Sequence, residues 1–287
     1  MMKITKKILA VMLSVITVVL CFAGCSKSGP AEKITAKTML IAYTEDNAPF
    51  IYEENGEIKG FDVELFEKIF DNVKNEFKDY KFVKVDKDYK IGEDVYCVDD
   101  NGENCIAYVM VGGVKKDTGS VNENYTFSED VINDRIITVT TDRSGISNYA
   151  SLEGKNIGVI AGVAKTALDN HTAIKNGCKS VKEYKAEDIA AALADLDAGK
   201  INALVVDEFV YYTAEKSAEY KILDGELDNI SYAYLFKKWD WYNDAINEAI
   251  YELKSPDYND ADEFTPIVEK HFGYNASSFE YDPPEKK

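Results

Sequence analysis

Residues 135–162 read RIITVTTDRSGISNYASLEGKNIGVIAG. Two β-prone apolar runs, Arg135–Thr140 and Asn156–Ile160, flank a polar, turn-rich stretch, and Gly162 then opens a helical pattern. The first run closes one series of alternating strands and helices and the second begins another. Upstream, Met39–Tyr43 reads as a strand, and Phe61, Leu65, Phe66, Ile69, Phe70 and Val73 line one face of a helix. Lys81–Val85 and Ile106–Val111 read as further strands, the second stopped by Gly112-Gly113. Downstream come a helix over Ala186–Ala198 closed by Gly199, a strand over Ile201–Val206 ending in Asp207, and a helical stretch over Glu208–Ala218. A strand over Ser231–Phe236 and amphipathic helices near Trp239–Leu253 and Asp260–His271 follow. Such alternation predicts an α/β fold, and its restart after Thr140 predicts two lobes. No short-period repeat is present.

The first residues predict export. Lys3, Lys6 and Lys7 precede the apolar run Ile8–Phe22, a basic region and a hydrophobic stretch too short and wrongly flanked for a stable membrane span. The run ends in Phe22-Ala23-Gly24-Cys25. Small residues before a cysteine resemble the lipobox of bacterial lipoproteins, in which the thiol takes the lipid and becomes the first residue after cleavage. The reading is therefore a signal peptide over 1–24, lipidation at Cys25 and a polar tether over 25–37. The protein is expected on the outer face of the cell membrane, held by lipid. No later segment is long and apolar enough to span a bilayer.

Hydrophobic residues make up 46 % of the chain, as in an ordinary globular protein. The net charge is −18, and removing a leader that carries only lysines leaves the rest more acidic still. That balance argues against nucleic acid or an anionic membrane surface as partner. Arg135 and Arg143 are the only arginines. Cys97 and Cys105 flank a short turn, and an exported chain meets oxidising conditions, so a disulfide between them is a candidate. No cysteine or histidine spacing suits a metal, because His171 and His271 lie far apart and no paired Cys-x-x-Cys occurs. No metal and no cofactor are expected.

Five segments together resemble family 3 of the bacterial extracellular solute-binding proteins, the capture components of polar amino-acid ABC importers. They are Leu40–Phe50 (LIAYTEDNAPF) with Asn55–Leu65 (NGEIKGFDVEL); Tyr125–Ser128; Leu152–Gly162; Leu196–Asp207; and Asn247–Ile250 with Ile267–Gly273. Each is weak alone, but they occur in order behind a lipobox and span nearly all of 38–273. The resemblance implies a two-lobe type II periplasmic-binding fold, each lobe a β-sheet flanked by helices, joined by two crossing hinge strands. Lobe one is expected over 36–138 plus 236–287 and lobe two over 139–235, closing on a ligand held between them. It also implies importer permease subunits as partners, a monomer, a small amino-group-containing solute, and no enzymatic activity.

The resemblance places Asp207 where the family uses an aspartate to accept hydrogen bonds from the ligand ammonium; the same residue also suits a helix N-cap. Gly162-Val163-Ala164 falls at the family's carboxylate-binding turn, with the amides kept and the hydroxyls missing. The family's carboxylate-binding arginine has no counterpart between Gly112 and Phe127. Gly113 and Lys115, with Lys116, are the candidates in that segment, although a lysine does not reproduce the guanidinium fork. Asn47 stands where the family often has an aromatic that packs on the ligand, and Tyr89 is a candidate to compensate. The alternatives are capture of an amine or another non-amino-acid solute, and a dehydratase-like enzyme on the same fold. The enzyme reading lacks a histidine in any cleft motif. A receptor sensor domain would need a downstream membrane span, and an adhesin would be separated by the neighbouring genes.

Overall fold

The structure, a computed structural model, describes residues 32–35, 37–74, 77–99, 101–116, 123–214, 219–238, 242–254 and 263–273. Cys25, the leader, and the expected helix starts at Trp239 and Asp260 lie outside them. In chain order the first strands are β1 (Glu32–Lys33), β2 (Thr38–Tyr43), β3 (Tyr52–Glu54), β4 (Glu57–Lys59), β5 (Asp79–Lys84), β6 (Asp94–Val98), β7 (Asn104–Ile106) and β8 (Val109–Met110). They continue with β9 (Tyr125–Phe127), β10 (Ile132–Thr140), β11 (Asn156–Ile160), β12 (Ser180–Tyr184), β13 (Ala203–Asp207), β14 (Lys221–Ile222), β15 (Asp228–Tyr232) and β16 (Leu235–Lys237). The helices are α1 (Phe61–Val73), α2 (Val163–Asn170), α3 (Thr172–Gly177), α4 (Ile189–Asp197), α5 (Glu208–Tyr212), α6 (Tyr242–Lys254) and α7 (Phe264–Phe272).

The chain divides into two compact units, residues 1–36 with 96–105 and residues 37–95 with 106–287. In the first, β1 runs parallel to β6 with Lys33 opposite Val98, so part of the expected tether is strand. The turn after β6 is closed by Asp99, whose Oδ1 accepts from the amides of Asn101 (2.8 Å) and Glu103 (2.9 Å). Cys105 is a free, buried thiol. The side chain of Cys97, its expected disulfide partner, lies outside the described residues; the turn is held by the Asp99 carboxylate and the strand ladder.

Besides the β3–β4 hairpin, the second unit holds two larger sheets, each with its own core. The first has strand order β5-β2-β8-β16-β9, with α1 packed against α6 and α7. Every residue of β2 is buried, which is why its sequence TMLIAY does not alternate. Phe61, Leu65, Phe66, Ile69 and Val73 of α1 are at most 1 % exposed, and each contributes about 1.5–3 kcal/mol by leaving water. The second sheet has order β12-β11-β13-β10-β14, with β15 also paired to β10. Its central strand β13 (ALVVD) is buried throughout. Chain order and sheet membership give two α/β lobes, joined where β9 leads into β10 and where β15 leads into β16. At the crossing the Ser128 amide donates to Tyr234 O (2.8 Å) and the Val131 amide to Tyr232 O (2.7 Å).

Two expected strands are broken. Ser231–Phe236 is the end of β15 and the start of β16, because Ala233 and Tyr234 carry the chain from one sheet to the other. Ile106–Val111 is split between β7, in the turn-closed pair with β6, and β8, which runs parallel to β2.

Candidate ligand-binding site

Both sheets turn the carboxyl ends of parallel strands to the inter-lobe region, where loops converge on ligands in α/β folds. In the second sheet β11 and β13 are parallel, Val159 opposite Val205, so Ala161-Gly162 and Asp207 emerge side by side. Asp207 is 5 % exposed, and its carboxylate accepts from the Val210 amide (3.0 Å), capping α5. Burial pushes its carboxyl above the usual carboxylate range, and the Lys115 charge opposes that rise. Gly162 precedes α2 with φ 99°, and its carbonyl accepts from Thr166 Oγ1 (3.0 Å). Ala164 is fully buried and Val163 half-buried, so this turn offers amides and not hydroxyls.

In the first sheet β2 and β8 are parallel, Ile41 opposite Val109, and they lead to the loops carrying Asn47, Phe50 and Gly113. Gly112 is clamped from both sides: its amide donates to Asp62 Oδ2 (2.8 Å) and its carbonyl accepts from Asn47 Nδ2 (2.9 Å). Asp62 also accepts from the Tyr234 hydroxyl (3.2 Å). Its burial pushes the carboxyl up to about 7 despite these donors. Gly113 has φ 71°, and a Cβ there would lie 2.7 Å from both Asn47 Nδ2 and a Phe50 ring carbon. The Asn47 amide is thus committed to shaping the loop. The Tyr89 hydroxyl donates to Glu93 O (2.8 Å) and accepts from the Ala107 amide (3.3 Å), and no contact places it beside Asp207. The two lysines separate: Lys116 pairs with Asp130 at 2.6 Å, whereas Lys115 is exposed and acts on Asp207.

Several groups beside Asp207 are absent from the sequence reading. Asp134 on β10 is 1 % exposed and accepts from the Phe209 amide (3.3 Å). Burial, then the Asp207 charge, pushes its carboxyl up to about 8. Glu208 is fully buried and is held by Arg135 through two bonds, Nε to Oε2 (2.9 Å) and an Nη to Oε1 (2.7 Å). Phe209 reaches into the aromatic group of the first lobe: ring centroids lie 5.8 Å from Phe50, 5.8 Å from Tyr232 and 4.3 Å from Phe272. The sequence did carry a signal for Asp134, an acid in the buried phase of an alternating strand, Ile132-x-Asp134-x-Ile136. Nothing local marked Phe209, since its neighbours come from distant segments.

The arrangement suits recognition of a cation: buried acceptors at a strand end, aromatic faces beside them, and no guanidinium free for a carboxylate. Arg135, the only arginine near, is committed to Glu208. The histidines sit elsewhere, His171 against Leu227 O and His271 beside Glu64. Among the described residues no group of side chains could hold a metal ion, and no helix is long and apolar enough to cross a membrane.

No protein-family model matches the chain. The arginine-binding extracellular protein ArtP of Bacillus subtilis is 22% identical over 253 residues, spanning 87% of this chain and 92% of that protein. The substrate-binding protein of a polar amino acid ABC uptake transporter from Streptococcus thermophilus superposes with a TM-score of 0.62 at 26% identity, covering 83% of this chain and 87% of that one. The second substrate-binding domain of a putative amino acid ABC transporter from Streptococcus pneumoniae gives 0.58 at 23% identity, over 82% and 99%. By their names these relatives are binding proteins. By fold, and by likeness along most of its length, the chain is related to the substrate-binding proteins of polar amino-acid ABC importers.

Proposed function

We propose that this protein captures a small solute bearing an amino or guanidino group outside the cell and delivers it to the permease of an ABC importer. The observation that carries the reading is Asp207, a carboxylate buried at the end of β13 between the lobes with no ion pair among the described residues. A carboxylate kept out of water needs donors or a cation, and a bound ammonium supplies both. The Gly162–Ala164 amides and Lys115 remain for any ligand carboxylate, so both an amino acid and its decarboxylated amine fit. Likeness to an arginine-binding protein supports a cationic member of that class. Asp207→Asn should weaken binding of the best ligand from a panel of amino acids and amines by about 30-fold or more, measured by calorimetry. Unchanged affinity would remove Asp207 from the site. Lys115→Ala should weaken only ligands that carry a carboxylate, while Lys116→Ala leaves affinity unchanged, because Lys116 is occupied by Asp130.

The anchoring reading rests on Ala23-Gly24-Cys25 behind the apolar run. Cys25→Ser should move the protein from the membrane fraction to the medium. A variant retained on membranes at the wild-type level contradicts lipid attachment at this cysteine.

A further inference from the structure

We infer that Asp134, Asp207 and the Tyr232 hydroxyl form one subsite for a single organic cation, an ammonium or guanidinium, and that seating the cation displaces a proton from the two carboxyls. This deepens the reading of Asp207 above and rests on it. The sheet register places the three side chains together. Asp207 lies opposite Ile136 of β10, and Tyr232 lies opposite Ile132 of the same strand. Directly opposed residues share a sheet face, and Ile132, Asp134 and Ile136 alternate onto one face. Asp134, Asp207 and Tyr232 therefore project to the same side, from three adjacent strands.

The two acids are 1 % and 5 % exposed, and neither forms an ion pair among the described residues. Like charges held close in a dry site do not both ionise, so the pair keeps a proton until a cation arrives. Tyr232 is a separate observation. It is 8 % exposed, its hydroxyl hydrogen-bonds to no described residue, and burial, then the charges of Asp134 and Asp207, raises its phenol. Next to two carboxylates, that hydroxyl is placed to accept from a cation that they hold. The rings of Phe50 and Phe209, centroids 4.9 Å and 5.8 Å from Tyr232, offer π faces to the same charge. The other charged groups facing the pair are accounted for. Glu208 on α5 is neutralised by Arg135, with Glu226 beside them, and Lys115 is exposed near Asp207. When the cation binds, the shared proton leaves for the buffer and both carboxylates accept from the ligand. The site binds one positive charge and releases close to one proton.

Calorimetric titration of the purified, detergent-solubilised protein with L-arginine, with agmatine, its decarboxylated form, and with L-glutamine tests this. Each is run at pH 7 in phosphate and in Tris, whose ionisation enthalpies differ. At least one cation is expected to bind with release of close to one proton, and with affinity rising from pH 6 to pH 8. Asp134→Asn should weaken that binding tenfold or more and abolish the proton release. Tyr232→Phe, which removes only a hydroxyl, should weaken it several-fold with an unchanged melting temperature, and so keeps the test open if Asp134→Asn fails to fold. Cation binding that needs Asp207 but neither Asp134 nor proton release overturns the inference and leaves the capture reading standing. So does binding of glutamine without either cation. A folded protein that binds none of the three overturns both.

Discussion

Replacing Arg135 with leucine is expected to lower the unfolding free energy by about 3–5 kcal/mol, because it strands the Glu208 carboxylate in the core. Glu208 is fully buried, and the guanidinium reaches both of its oxygens, at 2.9 and 2.7 Å. Coulomb attraction and two charge-assisted hydrogen bonds offset the desolvation of that carboxylate, and leucine supplies neither. A loss of this size is a large share of the stability of an ordinary domain. Urea unfolding of both proteins measures it. The pH dependence has a definite sign. Burial raises the folded-state pKa of Glu208 above its unfolded value, with Arg135 opposing. Without Arg135 the rise is larger, so the deficit grows as pH increases through the folded-state pKa and shrinks toward pH 5 as the carboxyl protonates. Arg135→Leu combined with Glu208→Leu should recover most of the loss, since no buried charge remains. A single variant within about 1 kcal/mol of wild type would mean that the pair is not what stabilises Glu208.

Gly60→Ala is expected to be as damaging or more. Gly60 has φ 129°, and an added Cβ would sit 2.3 Å from the Phe50 carbonyl oxygen and 2.9 Å from Ile51 Cα. Both are backbone atoms, so no rotamer change relieves the overlap. The neighbouring strands of chain are already tied: the Phe61 amide donates to Pro49 O and the Asp62 amide to Phe50 O, each at 2.9 Å. Any shift that admits the methyl breaks these bonds, lifts α1 from the loop and displaces Phe50 from its ring contacts with Phe61 and Phe209. Strain plus overpacking gives a cost above about 3 kcal/mol. Gly56→Ala is the control, because φ is 83° there but nothing lies within 4 Å of the added carbon. It should cost only about 1–2 kcal/mol for the left-handed backbone. Thermal unfolding compares the two, and equal melting temperatures would show that the close approach at Gly60 does not govern stability.

The two substitutions illustrate different kinds of legibility. The helix over Phe61–Val73 has the bounds that its periodicity predicts, and Asn156–Ile160 is likewise a strand from end to end. Both are segments whose apolar residues all serve one buried face or one buried strand, so local pattern and tertiary environment agree. Ser231–Phe236 looks continuous by the same rule and is not, because its halves pair with different sheets. The alanine-rich segment from Ala186 is also less uniform than it reads: its first turn, Ala186–Asp188, is a 3-10 helix and α4 begins at Ile189.

By itself the sequence determined the α/β alternation, its restart after Thr140 and the placing of Asp207 at the end of a buried strand, since each is written in neighbouring residues. Only the tertiary structure decided what surrounds Asp207. It committed Arg135 to Glu208 and Lys116 to Asp130, left Lys115 beside the site, and spent Asn47 on the Gly112 carbonyl. It also brought Asp134 and Tyr232 onto the face that carries Asp207, and Phe209 among rings from residues 50, 232 and 272. Hydrogen-bond partners and ring neighbours depend on strand register and on where the chain crosses between sheets. Those are set by the summed burial of many distant side chains, a quantity that no local stretch of sequence contains.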